Sequence, residues 1–279
     1  MGNLRLGLVG CGAIAQWHAT ALQHAQRTTV TACVDVVSAN ANKLAEITGG
    51  AACSSIAEAL EIGVDALAIL VPHHLHEDLV TQALEAGVHV ALEKPMAPTL
   101  EACERILATA ARHPDRVFML TENAQYWPEV VMAQKLIAEG AIGKLVTARS
   151  WHNFGITPEF YPSDESWRFQ QSAAGGGVAL DTGSHWMRPL RMILGEIDEV
   201  VAVTGRLWEK MEGESMVRSL CLFKSGVVAS FDVILATGAV GLQPHFQFTG
   251  TTGEIVISAL GEVRLFDGKD WQGTVVGHG

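Results

Sequence analysis

Three groups of residues have the types and spacing to do chemistry. Asp181 and His185 lie four positions apart at the start of a predicted helix, which puts both on one helical face. A carboxylate beside an imidazole fixes its tautomer, and the imidazole can then take the proton of an alcohol as hydride leaves the carbon. The same pair has metal-ligand types, but two ligands without a third do not make a metal site. Lys94 stands between an apolar run and Pro95, where an ammonium can polarise or hold a substrate hydroxyl. The third group is Gly10-Cys11-Gly12-Ala13-Ile14-Ala15, a G-x-G-x-x-A turn, followed by a second apolar run that ends in Asp35. Gly10 permits a tight turn, Gly12 lets backbone approach a pyrophosphate, and Ala15 lets helix and strand pack closely. The helix start offers unpaired N–H groups to phosphates, and Asp35 lies where an acid binds adenosine ribose hydroxyls. Val36 and Val37 follow it, with no arginine to receive a 2′-phosphate, so NAD is expected over NADP.

These residues need elements to hold them. Apolar runs suited to buried parallel strands are Leu4–Val9, Val30–Val34, Ala66–Val71, Val88–Leu92 and Val117–Leu120. Helical stretches alternate with them. Ser55-Ile56-Ala57-Glu58 is a capping box, and Thr99 caps a later helix with Glu101 in its first turn. Such alternation predicts a doubly wound parallel sheet over residues 1–122. The pattern then changes. A helix runs from Pro128 to Gly140, a strand follows from Lys144, a loop rich in Pro, Ser, Gly and aromatics covers about Phe154 to Gly177, and a second helix covers roughly Thr182 to Leu194. Val200–Trp208, Met216–Phe223, Val227–Leu235, Phe246–Thr249, Glu254–Ser258 and Val263–Phe266 read as strands joined by short turns. Residues 123–279 are therefore expected to form an α+β domain with a mostly antiparallel open sheet.

Composition sets limits. The chain has 279 residues, 48% of them hydrophobic, enough for one or two domains with sizeable cores. A net charge of −11 without a basic run argues against nucleic acid or an anionic membrane surface. Five scattered cysteines without C-x-x-C spacing suit a reducing compartment. No apolar run approaches a membrane span, and no signal peptide is visible. Met1-Gly2 begins like a myristoylation site, but Leu6 stands where Ser or Thr belongs. A cytoplasmic location is expected.

With these motifs in order, the chain resembles the glucose-fructose oxidoreductase / inositol dehydrogenase / rhizopine-catabolism (Gfo/Idh/MocA) family. Four stretches carry the resemblance: the amino-terminal fingerprint, Val71-Pro72-His73-His74-Leu75-His76, Glu93-Lys94-Pro95, and Gly175-Gly176-Gly177 through Asp181 to His185. The resemblance implies a Rossmann domain followed by an α+β domain, with the active site in the cleft between them. It implies cofactor contacts at Gly10, Gly12, Ala13, Ile14, Asp35, Pro72, His73, His76, Glu93 and Lys94. It gives Lys94 a catalytic role and His185 the acid/base role, supported by Asp181, and no metal. Lys94, Trp167, Arg168, Asp181 and His185 would meet a sugar, cyclitol or related polyol oxidised at a secondary alcohol. It also implies a homodimer or homotetramer joined through the second-domain sheet.

Other readings stand beside these. His76 matches a family histidine near the cofactor and equally suits a helix start. Trp151, Trp167 and Trp186 suit stacking on sugar faces or core packing alike. His18 reads as a surface or packed residue without chemistry. A redox-neutral glycoside hydrolase that uses NAD transiently would carry much the same residues, and a non-catalytic NAD-binding sensor is a third reading. Three departures mark this chain. Arg188 stands where many members carry aspartate, which puts the substrate class in question. Gln125-Tyr126-Trp127-Pro128 replaces a common Arg-Phe-x-Pro pattern. Residues 269–279 read as an unfinished edge, as if the carboxyl end were truncated.

Overall fold

The structure is a computed structural model that describes residues 2–275 apart from 162, 164, 237 and 239. The chain divides into two compact units, Met1–Thr121 with Ser172–Gly175, and Glu122–Gln171 with Gly176–Gly279.

The first unit alternates strand and helix: β1 (Leu4–Val9), α1 (Ala13–Leu22), β2 (Thr28–Val34), α2 (Ser38–Thr48), β3 (Ala51–Cys53), α3 (Ile56–Ile62), β4 (Ala66–Ile69), α4 (His76–Glu85), β5 (His89–Leu92), α5 (Leu100–Arg112) and β6 (Phe118–Leu120). The strands form one parallel sheet in the order β3-β2-β1-β4-β5-β6. All four residues of β4 are buried, as its unbroken apolar run requires for a strand covered on both faces. One apolar layer joins Leu67, Ile69 and Leu92 to Val80, Leu84 and Ile106. The other joins Leu8 and Cys33 to Ala15, Ala19 and Leu44. The caps lie where the sequence puts them. Ser55 Oγ accepts from Glu58 N at 3.3 Å, although the Glu58 carboxylate reaches back to Ser54 N (2.8 Å) rather than to Ser55. Thr99 Oγ1 accepts from Ala102 N at 3.2 Å. The reading missed only β3 in this sheet. It is three residues long with two exposed, too short to show a period.

The second unit holds α6 (Pro128–Ala138), β7 (Leu145–Gly155), α8 (Ser184–Leu194) and strands β8 (Ile197–Gly205), β9 (Met216–Phe223), β10 (Val228–Ala236), β11 (Phe246–Gly250), β12 (Glu254–Ile257), β13 (Glu262–Phe266) and β14 (Trp271–Val275), with α7 (Gln171–Ala174) at the junction of the two sets of residues. The sheet order is β14-β13-β12-β11-β7-β10-β9-β8. Every neighbouring pair is antiparallel except β7 with β10. One face is packed: Phe223, Phe231, Phe246, Phe248 and Ile257 meet Trp186 and Leu190 of α8. The other leaves Val201, Val203, Leu220 and Val228 exposed. In the carboxyl-terminal stretch, Trp271–Val275 pairs with β13 as the edge strand of this sheet. Residues 276–279 lie outside the described residues.

Candidate active site

In the first unit, the turn after β1 is built for close approach. Gly10 has φ +89°, and a Cβ there would meet Leu70 O at 2.7 Å. Nothing lies within 4 Å of the position a Gly12 Cβ would take, so the backbone is open above it. Gly12 precedes α1, whose first turn carries no acidic residue and no side-chain cap, so its N–H groups are left for an anion. Ala15 is fully buried, as close helix–strand packing demands. Asp35 Oδ2 accepts from Cys11 N, and Oδ1 from Val37 N, each at 2.8 Å. The carboxylate thus fixes the turn while standing at the end of β2, where a ribose would be met. An ordered anion at this point repels a 2′-phosphate. These residues fit a dinucleotide. Burial pushes the Cys11 thiol up to about 12, with smaller contributions from Cys33, Asp35 and Cys53, so it stays protonated inside the turn.

Two loops at the carboxyl ends of β4 and β5 complete this unit. His73 is buried, and its Nδ1 lies 2.9 Å from Ala174 O. His76 opens α4 and is fully buried. Its Nε2 lies 3.0 Å from Val71 O, while Nδ1 lies 3.1 Å from Pro95 O and 3.2 Å from Met96 O. The ring therefore ties the Val71–Pro72 turn to the loop that carries Lys94. Burial is the largest influence on His76 and holds its pKa below the ordinary histidine value, against the three carbonyls that raise it. Glu93 is half of a second tie. Its Oε2 accepts from Lys94 N at 3.0 Å, and its Oε1 lies 2.8 Å from His18 Nε2. Burial raises the Glu93 carboxyl, but the His18 hydrogen bond and the charges of His18 and Lys94 outweigh it and hold the pKa below the usual range. Of the two readings for His18, surface or packed, the structure shows the packed one, with its ring against Glu93. It links α1 to the lysine loop. Gly175 has φ +83°, and a Cβ there would overlap Pro98 of that same loop.

In the second unit, α8 begins at Ser184, two residues later than expected, which leaves Asp181 in the preceding turn. The spacing led us to expect Asp181 beside His185, and the side-chain partner that the structure shows at His185 Nδ1 is Glu122. His185 Nδ1 lies 2.7 Å from Glu122 Oε1, whereas Asp181 Oδ2 accepts from Arg168 Nε at 3.1 Å. The carboxylate that meets the imidazole comes from 63 residues earlier. The Arg168 guanidinium stacks over Trp167, 4.4 Å from its centroid, and donates Nη1–H to Phe160 O at 3.3 Å. Trp167, Arg168 and Asp181 thus form one cluster. The Gly175–Gly177 run leads into it: a Cβ on Gly177 would overlap the Glu214 carbonyl, and the Glu214 carboxylate accepts from Gly177 N and Ala179 N at 3.0 Å each. Trp186 is core, stacked on His152 at 3.6 Å and edge-on to Trp127 at 5.6 Å. Trp151 is buried under Arg149. Packing, rather than sugar stacking, accounts for both. The two internal departures from the family pattern prove to be one contact, since Arg188 Nη2 donates to Gln125 Oε1 at 2.8 Å. No group of three side chains among the described residues could hold a metal ion, and no described helix is long and apolar enough to cross a membrane.

Comparison with known proteins fits this geometry. Residues 4–121 match the oxidoreductase family with an NAD-binding Rossmann fold, and residues 130–256 match the GFO/IDH/MocA C-terminal domain. The chain belongs to the Gfo/Idh/MocA oxidoreductase family. The family's NAD-binding Rossmann fold is the first unit here, and its carboxyl-terminal domain the second. Among curated relatives, the 1,5-anhydro-D-fructose reductase of Ensifer adhaerens is 31% identical over 260 residues, 90% of this chain and 75% of the reductase. A crystal structure of an oxidoreductase from Thermotoga maritima matches with a TM-score of 0.86 at 28% identity, covering 97% of this chain and 82% of that one. Levoglucosan dehydrogenase in complex with NADH and levoglucosan matches with a TM-score of 0.86 at 26% identity, over 99% and 81% of the two chains.

The His76 contacts give a pH signature in this Gfo/Idh/MocA chain. A histidine whose folded pKa is lowered takes up its proton more readily unfolded, so stability is full above the unfolded value of 6.5 and falls as pH drops below it. Thermal midpoints measured from neutral pH downwards are expected to decline from about pH 6.5. In His76→Gln that part of the decline is expected to vanish; an unchanged slope would refute the assignment.

Proposed function

We propose that the protein catalyses reversible oxidation of a secondary alcohol on a sugar, cyclitol or related polyol. His185 carries the reading, because one ring nitrogen is held by a carboxylate and the other is left for a substrate hydroxyl. The named relatives, a reductase and a dehydrogenase of anhydrosugars, support the substrate class.

NAD, when bound, would supply the hydride acceptor, and Gly10, Gly12, Ala13, Ile14 and Asp35 at the fingerprint with the Pro72–His76 and Glu93–Lys94 loops would hold it. Lys94 orients the hydroxyl by donating to its oxygen. His185 takes the hydroxyl proton at Nε2 as the carbinol C–H electron pair departs as hydride and the C=O bond forms. The substrate loses one proton to His185 and one hydride, which carries the two electrons, to the nicotinamide, and nothing else changes hands. Asp181, Arg168 and Trp167 form the polyol-binding cluster, with Asp181 accepting from hydroxyls and the Trp167–Arg168 stack offering a flat face. Arg188 adds a guanidinium one helical turn from His185, which favours a substrate with acceptor oxygens on that side.

The proposal extends to surroundings. The exposed apolar residues Val201, Val203, Leu220 and Val228 on one sheet face support association of copies into a dimer or tetramer. Five free cysteines support a cytoplasmic setting. Light scattering is expected to give a multiple of the chain mass, and a monomer at micromolar concentration would contradict the association.

The direct test follows NADH absorbance with NAD and a panel of cyclitols, aldoses and anhydrosugars, repeated with NADP. Net NADH with one class, strongly favouring NAD, is expected. Lys94→Ala is expected to lose about 10²-fold or more in kcat. Sugar release without net NADH would instead identify the redox-neutral hydrolase.

A further inference from the structure

Glu122 is a carboxylate that motif spacing did not find, and its surroundings are unusual for a merely structural residue. The residue is 8% exposed. Oε1 takes two donors, His185 Nδ1 at 2.7 Å and Ala124 N at 2.8 Å. Oε2 is buried without a hydrogen-bond partner. Removing a carboxylate from water costs several kcal/mol in order of magnitude, and leaving one oxygen unmet adds to that. Holding the Ala124 N–H in its 3-10 turn needs only a neutral acceptor. A buried and half-satisfied charge is therefore a poor device for stability, which points to a different reason for its presence.

We propose that Glu122 is the positioning residue for the base of the reaction. Its carboxylate keeps His185 in the Nδ1–H tautomer and so puts the lone pair on Nε2, towards the substrate. The inference rests on the assignment of His185 as proton acceptor above. An ionised carboxylate can only accept, so the ring nitrogen it meets must carry the hydrogen. The neutral imidazole has one N–H, which leaves the other nitrogen basic. Trp127 and Trp186 flank the ring with centroids 6.2 and 6.3 Å away, at 33° and 73°, and limit its rotation. When the hydroxyl proton arrives at Nε2, the ring becomes a cation beside an anion already in place. Glu122 itself takes no proton. Gln125 anchors the same turn by donating Nε2–H to Glu122 O at 2.9 Å, while its Oε1 holds Arg188. Glu122 thereby serves the base, while Asp181 accepts from Arg168 in the neighbouring cluster.

The test has two arms on the full chain. In the first, protein labelled with ¹⁵N-histidine is studied at about pH 9, above the ordinary histidine range. Long-range ¹H–¹⁵N correlations, assigned to His185 by their loss in His185→Asn, report the tautomer. Nδ1–H is expected in the native protein, and a shift to Nε2–H in Glu122→Leu. An Nε2–H tautomer in the native protein, or no change in the variant, overturns the proposal whether or not a substrate is in hand. The second arm is kinetic. Glu122→Gln keeps the shape and removes the charge. A kcat lower by about 10²-fold or more is expected, with KM within about threefold and an unchanged or raised thermal midpoint. Glu122→Asp is expected to recover part of the loss. Full activity in Glu122→Gln with an inactive His185→Asn overturns the Glu122 role alone. Full activity in His185→Asn overturns the acid/base assignment and this inference with it. A lowered midpoint with unchanged kcat marks Glu122 as structural and overturns the proposal.

Discussion

The hydrogen bond from Cys11 N to Asp35 Oδ2 joins the ends of two neighbouring parallel strands, and much of the first unit follows from it. Gly10 must turn with a positive φ because the Leu70 backbone leaves no room for a Cβ. That turn aims the Cys11 N–H at β2, where Asp35 waits, and sets the start of α1. The helix then carries His18 to Glu93, and Glu93 holds the backbone of Lys94. A single line of contacts thus runs from the nucleotide turn to the lysine that would handle substrate. Each link is a carboxylate meeting N–H or imidazole, the kind of bond that is short, directional and strong when partly shielded from water.

The second unit uses the same device. Glu214 draws in two N–H groups of the glycine-rich segment, Asp181 takes Arg168, and Glu122 takes His185. Glycine at 177 is needed because the backbone there lies against Glu214 itself. The apolar layers supply most of the driving force for folding. The carboxylates supply direction, and they do so at each turn that bears a candidate reactive group. Arg188 and Gln125 add an arginine–amide contact to the same unit.

Sequence periodicity read the architecture well because parallel strands buried on both faces leave long apolar runs, and because caps and glycines are local signals. Met216–Phe223 was legible to the residue, and Leu4–Val9 likewise. The edges were harder. β3 has three residues, and β14 is polar and short, so neither shows a period. Within the candidate site, the turn at Gly10 and the carboxylate of Asp35 at the end of β2 were legible because turns and strand ends are local signals. The site was not legible where partners come from afar. Spacing of four suggested that Asp181 serves His185, but Glu122, 63 residues away, lies against the ring. His18 and Glu93 are 75 residues apart and carry no shared motif. Glutamate beside asparagine after a short strand gives no local sign of its partner, because the packing of α8 against the Ala124–Tyr126 turn is what brings His185 to it.

The central claim is that hydride passes from a polyol carbon to NAD while the proton leaves through His185. The most direct measurement is the mass of the nicotinamide cofactor after turnover of a polyol deuterated at the reacting carbinol carbon. One deuteron gained by the cofactor for each carbonyl product formed is the expected result. A cofactor that stays unlabelled while the sugar is cleaved, or a label lost to water, would contradict the account.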